Sequence, residues 1–275
     1  MTTILVPVDF SEYSEHALKV AASIAKNNSA EIVAVHMMGM NLAALTKENS
    51  PDIEGLFFVN ISQKRFKEFL NKDYLNGITV KHMVRNYINF SELDEVAIEH
   101  NADLIVMGSH GSSGLSEFFV ESNTEKVVRS SATPVLVVKN SKSWPAEKVV
   151  FASDYKDESL SAFTKAMKIF DELNIEVELV FINRSDESFL RTEEIDSRIL
   201  NFLVKLPGQD FIPEDVTVYS DYTVEAGIFS YAKKIKADMI GLSTHGRQGL
   251  AHFFSGSIGE DLVNHSSLPV LTIRM

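Results

Sequence analysis

The residues best suited to chemistry form one pattern that occurs twice. Gly108-Ser-His-Gly111 is followed, after nine residues, by Glu121-Ser122-Asn123-Thr124-Glu125. Ser243-Thr-His-Gly246 is followed, after nine more, by Gly256-Ser257-Ile258-Gly259-Glu260. Both end in Ser-x-x-Glu ahead of an apolar-periodic run, a capping box that makes Ser122 and Ser257 helix N-caps. A helix N-terminus offers unpaired N–H groups and positive partial charge to an anion. Glycines ahead of it let a phosphate approach the backbone without a Cβ in the way. The chemistry on offer is therefore the binding of a phosphate-bearing ligand. His110 and His245 have no paired carboxylate or nucleophile nearby in sequence, so they read as groups that pack or hydrogen-bond within their loops. The eight histidines lack the HxxxH and HExxH spacings of a helical metal site, and no catalytic or metal-ligating set emerges. Neither a Walker A lysine loop nor a Gly-x-Gly-x-x-Gly fingerprint follows the first strand, which counts against a P-loop NTPase or a dinucleotide dehydrogenase.

These turns must be held by strands and helices, and the periodicity supplies them. Ile4 to Val8 reads as a buried strand leading into a helix over Glu12 to Lys26, with Ala17, Leu18, Ala21, Ile24 and Ala25 on one apolar face. Glu31 to His36 is a second strand. A helix within Ile61 to Asn71, a strand near Ile78 to Val84 and a helix over Ser91 to His100 come next. Asp103-Leu-Ile-Val-Met107 is an uninterrupted apolar strand of parallel-sheet type. A short helix near Thr124 to Arg129 and a last strand, Pro134 to Lys139, close the series. Such alternation gives an α/β fold, a parallel sheet with helices on both faces, whose ligands sit at the carboxyl ends of the strands.

The whole series repeats. Shifted by 135, the segment Asp103–Lys139 falls on Asp238–Arg274 with about 15 of 37 positions identical and no gap. The front of the chain repeats at a shift of 145, where Ile4-Leu-Val-Pro-Val-Asp9 meets Val149-Val-Phe-Ala-Ser-Asp154. The first copy therefore carries about ten extra residues, expected between Met40 and Tyr87. The polar, turn-forming stretch Asn140 to Ala146 separates a first domain, residues 1–140, from a second, residues 147–275, with 141–146 as linker. Phe118-Phe119 and Phe253-Phe254 read as core packing. Asp9 and Asp154, at equivalent strand ends, read either as helix N-caps or as ligand contacts.

The glycine-and-serine pattern resembles the Gly-x2-Gly-x9-Gly-Ser/Thr signature of the universal stress protein family. The strand ending at Asp9 and the closing Pro134-Val-Leu-Val-Val138 strand are similar to that family as well, and the likeness spans both copies. The resemblance implies two tandem five-stranded parallel-sheet domains of Rossmann-like, adenine nucleotide α hydrolase-like fold. It also implies ATP, with Mg2+, as the ligand. In such domains the strand-end Asp lies near the ribose, a residue ending the second strand meets adenine, and the glycine turn cradles phosphates. Carried over, this gives Asp9, Met37, Gly108, Gly111 and Ser122 in the first copy. In the second it gives Asp154, Ile182, Ser243, His245, Gly246, Arg247, Gly256, Ser257 and Ile258.

The copies are unequal. Glu121 stands where the first copy's third glycine belongs, and a carboxylate about 4 Å from a phosphate charge repels it by roughly 4 kcal/mol at an effective dielectric of about 20. In the second copy Ser243 replaces the first glycine without adding charge, and Arg247 can reach phosphates. The second copy is thus expected to be the better site.

Bulk properties fit a binding module. The chain of 275 residues has a formal net charge of −12, which argues against non-specific binding to nucleic acid or to anionic membranes. It has no cysteine, so disulfides and thiol chemistry are excluded. No apolar run reaches membrane-spanning length and no signal peptide is visible, so the expected location is cytoplasmic. Three functions remain open: an ATP-binding stress-response module that signals to a partner, an ATP-independent interaction or dimerisation protein, and a slow ATPase. The last lacks an evident general base. The resemblance further implies that the closing strands of the two copies pair as an intrachain pseudo-dimer, with homodimerisation open.

Overall fold

The computed structural model describes residues 1–38, 51–86, 92–109, 123–142, 144–206, 208, 210–244 and 266–275. The chain divides into two compact units, whose described residues run from Met1 to Lys142 and from Trp144 to Met275. The first contains β1 (Thr3–Pro7), α1 (Glu12–Asn28), β2 (Glu31–Met38), α2 (Pro51–Phe69) and β3 (Val80–Asn86). It continues with α3 (Leu93–Glu99), β4 (Leu104–Gly108), α4 (Asn123–Ser130) and β5 (Val135–Val138). The second contains β6 (Lys148–Ala152), α5 (Leu160–Leu173), β7 (Glu176–Arg184) and α6 (Thr192–Leu203). After them come β8 (Val216–Asp221), α7 (Val224–Ile235), β9 (Met239–Thr244) and β10 (Val270–Arg274).

Within the first unit the strands lie in the order β3-β2-β1-β4-β5, all parallel. Within the second they lie in the order β8-β7-β6-β9-β10, again all parallel. The order reverses beside β1 and beside β6, so each unit has a switch point there, where open α/β sheets hold their ligands. The pairing register repeats with the sequence. Ile4 pairs with Leu104 as Val149 does with Met239, and Ile105 with Val135 as Ile240 does with Val270. The offset changes between the second and third strands of each unit. Leu179 answers to Ala34 at 145, while their partners Val216 and His82 stand 134 apart. The additional first-copy residues therefore fall between β2 and β3, where α2 has 19 residues and α6 has 12.

The central strands are buried on both faces, as their unbroken apolar runs require: β1 is buried throughout, and β4 from Leu104 to Met107. The α1 face named from periodicity is buried in full, and Val20 and Ala22 join it. The two cores are filled differently. The second unit has Phe151 and Phe170 packed edge to face beside Gly241, with Phe163 edge to face against Phe151. Under the repeat, the positions of Phe151, Phe163, Phe170 and Gly241 are Val6, Leu18, Ala25 and Val106. Larger side chains from β6 and α5 occupy the volume that the missing side chain on β9 releases.

Each unit anchors its first strand in the same way. Asp103 Oδ2 accepts from the backbone N–H groups of Thr2 (2.5 Å) and Thr3 (3.1 Å). Asp238 Oδ2 accepts from those of Glu147 (3.1 Å) and Lys148 (3.0 Å). The turn before the last strand is duplicated too. Thr133 N donates to Ser131 Oγ, and Leu268 N to Ser266 Oγ, at 3.1 and 3.0 Å.

Candidate functional site

At the end of the first strand of each unit the chain makes the same turn. Asp9 Oδ1 accepts from Ser11 N (2.9 Å) and Ser11 Oγ (2.5 Å), while Asp154 Oδ1 accepts from Lys156 N (3.1 Å) and Ser159 Oγ (2.5 Å). These i to i+2 bonds are Asx turns, which tolerate a left-handed residue between them. Phe10 (φ 65°) and Tyr155 (φ 53°) supply it. Neither aspartate is the N-cap of the following α-helix. Ser11 caps α1, its side chain accepting from Ser14 N, and α5 is preceded by a 3-10 turn, Asp157–Ser159. Burial alone would raise the Asp9 pKa, but the Ser11 hydroxyl and N–H bonds outweigh it, and the carboxyl is held below its ordinary value.

That 3-10 turn makes the two sites different. In the first unit a Cβ on Gly108 would stand 2.3 Å from the carbonyl oxygen of Tyr13, in the first turn of α1. Close packing of the helix against the strand end requires glycine there. In the second unit the residues aligned with Glu12 and Tyr13 are Asp157 and Glu158, in the 3-10 turn, and α5 starts only at Leu160. The strand end accommodates Ser243.

A cavity of about 340 Å3 opens at this point of the second unit. It lies at the carboxyl ends of β9, β6 and β7, and Ser243, Asp154 and Ile182 each line it. Three residues named from sequence are thus brought to one cavity. Asp154 is only 11% exposed, and its Oδ2 has no hydrogen-bond partner among the described residues, although Lys156 Nζ lies 3.7 Å away. A buried carboxylate oxygen without a hydrogen bond is costly, which makes Oδ2 a candidate acceptor for a donor in the cavity. The apolar wall is formed by Ile182, Val224, Ile228 and Leu242. Gly227 on α7 lets that helix approach, since a Cβ there would stand 2.7 Å from Ile182 Cγ2.

Sequence reasoning did not single out the cations of the cavity, Lys156, Arg184 and Arg198. Arg184 had a visible signal, lying two residues beyond Ile182 at a strand end. Arg198 had none, because its arrival depends on how α6 packs. Its guanidinium lies 5.9 Å from the centre of the Phe181 ring. Arg184 bonds the Ser188 hydroxyl and lies 3.4 Å from Asp186 Oδ2.

In the first unit Asp9, Met37 and Gly108 lie at the ends of the adjacent strands β1, β2 and β4 or just beyond, and Met37 is buried. Phe10 packs there against His36, Phe66 and Phe69, with ring centres at 4.6, 5.1 and 5.7 Å. His110, Gly111, Phe118, Phe119, Glu121 and Ser122 lie outside the described residues. So do His245, Gly246, Arg247, Phe253, Phe254, Gly256, Ser257 and Ile258. Among the described residues no group of three or more His, Asp or Glu side chains could hold a metal ion, and no helix is long and apolar enough to cross a membrane.

The universal stress protein family model matches the chain twice, over residues 1–139 and 145–274. A universal stress protein of Methanocaldococcus jannaschii is 31% identical over 140 residues, covering 50% of this chain and 82% of that protein. A second one from the same organism is 30% identical over 156 residues, covering 51% and 96%. The crystal structure of a universal stress protein from Archaeoglobus fulgidus DSM 4304 shares the fold at a TM-score of 0.72 and 21% identity, covering 99% of this chain and 98% of that one. With both halves matched and both sheets in the same strand order, the chain belongs to the universal stress protein family, as a form that carries two of its domains in tandem.

Proposed function

We propose that the chain is a nucleotide-binding stress-response module whose working site is in the second copy, with ATP, assisted by Mg2+, as its ligand. The observation that carries this reading is the second-unit cavity, which gathers Asp154, Ile182 and Ser243 at the switch point. Its volume of about 340 Å3 falls in the range of small-molecule sites, roughly 300–1,000 Å3. The fit to a nucleoside is chemical as well as spatial. The unbonded Oδ2 of Asp154 suits a ribose hydroxyl, and the apolar wall around Ile182 suits a purine face. The glycine turn after β9, with Arg247, Gly256 and Ser257, would receive the phosphates. Mg2+ would be held mainly by the phosphate oxygens, as is usual for this ion. Binding, rather than turnover, is the activity proposed, because the sequence offers no evident general base.

Calorimetric titration with ATP and Mg2+ tests this, beside a Gly256→Glu variant that copies the first domain's departure. One site per chain, lost in the variant, is the expected result. No binding by the unmodified protein would instead favour the ATP-independent interaction protein. Two sites per chain would show that Glu121 does not close the first. Asp154→Asn should weaken binding about 10-fold or more, the worth of a hydrogen bond to a charged group.

A further inference from the structure

The connection from β7 to α6 forms one wall of the second-unit cavity, through Arg184, Ser188 and Leu190. The core does little to keep it there. Asn183 is buried, and so is Ile195 in α6, but none of the residues from Arg184 to Glu194 between them is. A segment without buried side chains opens easily unless hydrogen bonds hold it.

Some of its bonds only shape the turn. Ser188 N donates to Asp186 Oδ1 at 2.8 Å and Phe189 N to Asp186 O at 2.9 Å. Arg184 bonds the Ser188 hydroxyl, but through a long side chain at the surface. Attachment to the sheet comes at the two ends. At the near end Ser185 N donates to Asp221 O at 3.1 Å. At the far end the Asn183 side chain takes both backbone groups of Leu190: Nδ2 donates to Leu190 O at 3.0 Å, and Leu190 N donates to Oδ1 at 3.1 Å. Asn183 is only 5% exposed, so water competes little for its amide and the pair of bonds is strengthened. They do for Leu190 what a neighbouring strand would do.

The first copy cannot repeat this arrangement. At the shift of 145 that relates β7 to β2, Asn183 corresponds to Met38. A thioether has no N–H to give a carbonyl and is a weak acceptor.

We infer that Asn183 is a positioning residue of the second-copy site, fixing the β7–α6 connection as a cavity wall before any ligand arrives. The inference rests on the nucleotide reading above and adds a second reason, independent of Glu121, for the copies to differ. A wall already ordered spares the ligand the entropy of ordering it, which raises affinity without a contact from Asn183 itself.

The test uses the full chain well below its unfolding midpoints. Asn183→Ala removes both bonds, and the isosteric Asn183→Asp keeps the acceptor for Leu190 N–H while losing the donor. Asp238→Ala is the control, because it releases Glu147 and Lys148 at the amino end of β6, the end of the sheet away from the cavity. Asn183→Ala should weaken ATP binding about 10-fold, the order of two ordinary hydrogen bonds, with Asn183→Asp between it and the unmodified chain. Hydrogen exchange at the Leu190 amide should be slow in the unmodified chain without ligand, fast in unliganded Asn183→Ala, and slow again once ATP is bound. Asp238→Ala should lower the second unit's unfolding midpoint and leave both readouts in place. The inference is overturned if both Asn183 variants bind ATP as tightly as the unmodified chain. It is also overturned if Asp238→Ala loses as much affinity, since Asn183 would then act through overall stability alone. Either result leaves nucleotide binding standing, whereas no ATP binding by the unmodified chain removes that reading and this inference with it.

Discussion

A β-carbon on Gly108 would stand 2.3 Å from the Tyr13 carbonyl oxygen and 2.5 Å from its carbon, both backbone atoms that a rotamer change cannot move. From sequence this glycine reads as a phosphate contact, and its steric role is invisible there because it depends on where the next helix begins. Ser243, its counterpart, lies beside a 3-10 turn and lines the cavity. The two positions should therefore respond unequally to exchange. Gly108→Ser forces α1 away from β4 and should destabilise the first unit by about 3 kcal/mol or more, the upper end for overpacking. Ser243→Gly adds only backbone freedom, about 0.5–1 kcal/mol. Urea unfolding of both variants measures the contrast, and equal effects would show that the helix start does not set the difference. Asp103 and Asp238 give the complementary case. The repeat shows them as identical, and the structure shows them anchoring β1 and β6 by the same pair of backbone bonds.

Among the elements, the strands and the equivalence of the two copies were legible from the apolar runs and the two offsets, and the pairs Ile4–Leu104 and Val149–Met239 obey the same shifts as the sequence. The third layer was less so. Helix α6 is seven residues shorter than α2, the offset changes across it, and no one-to-one match foretells what its side chains reach. The exchange of core volume between β9 and α5 was equally hidden, since Gly241, Phe151 and Phe170 are far apart in sequence. A Cβ on Gly241 would stand 2.8 Å from Phe170 Cζ and 2.9 Å from Phe151 Cδ2, and both rings are fully buried. Gly241→Val, which restores the residue at Val106, should cost about 1–3 kcal/mol by overpacking. Phe170→Ala, which restores the residue at Ala25, should alone cost about 3–5 kcal/mol through the cavity it leaves. Together they should cost less than the sum, with a coupling of about 0.5–3 kcal/mol in a double-mutant cycle. Additive costs would mean that the two positions do not share volume.

At the scale of the molecule, duplication has produced two units with one topology and separate cores, so ligand occupancy of one need not stabilise the other to the same degree. A ligand that binds only the folded second unit adds stability to that unit by mass action, about 2.7 kcal/mol at 100 times its Kd. For a unit of this size, each kcal/mol raises the unfolding midpoint by roughly 2–8 °C, so saturating nucleotide should move the second unit's transition upward by about 10 °C. Chains with more than one domain commonly depart from two-state unfolding, which makes the two transitions separable by calorimetry. The transitions can be assigned with Gly108→Ser, which lowers the first, and Gly241→Val, which lowers the second. The nucleotide should then raise the transition that Gly241→Val lowers and leave the other in place. A shift of the first-unit transition instead would put the ligand beside Asp9 and Met37, where Glu121 was expected to oppose it, and would reverse the assignment of the working copy.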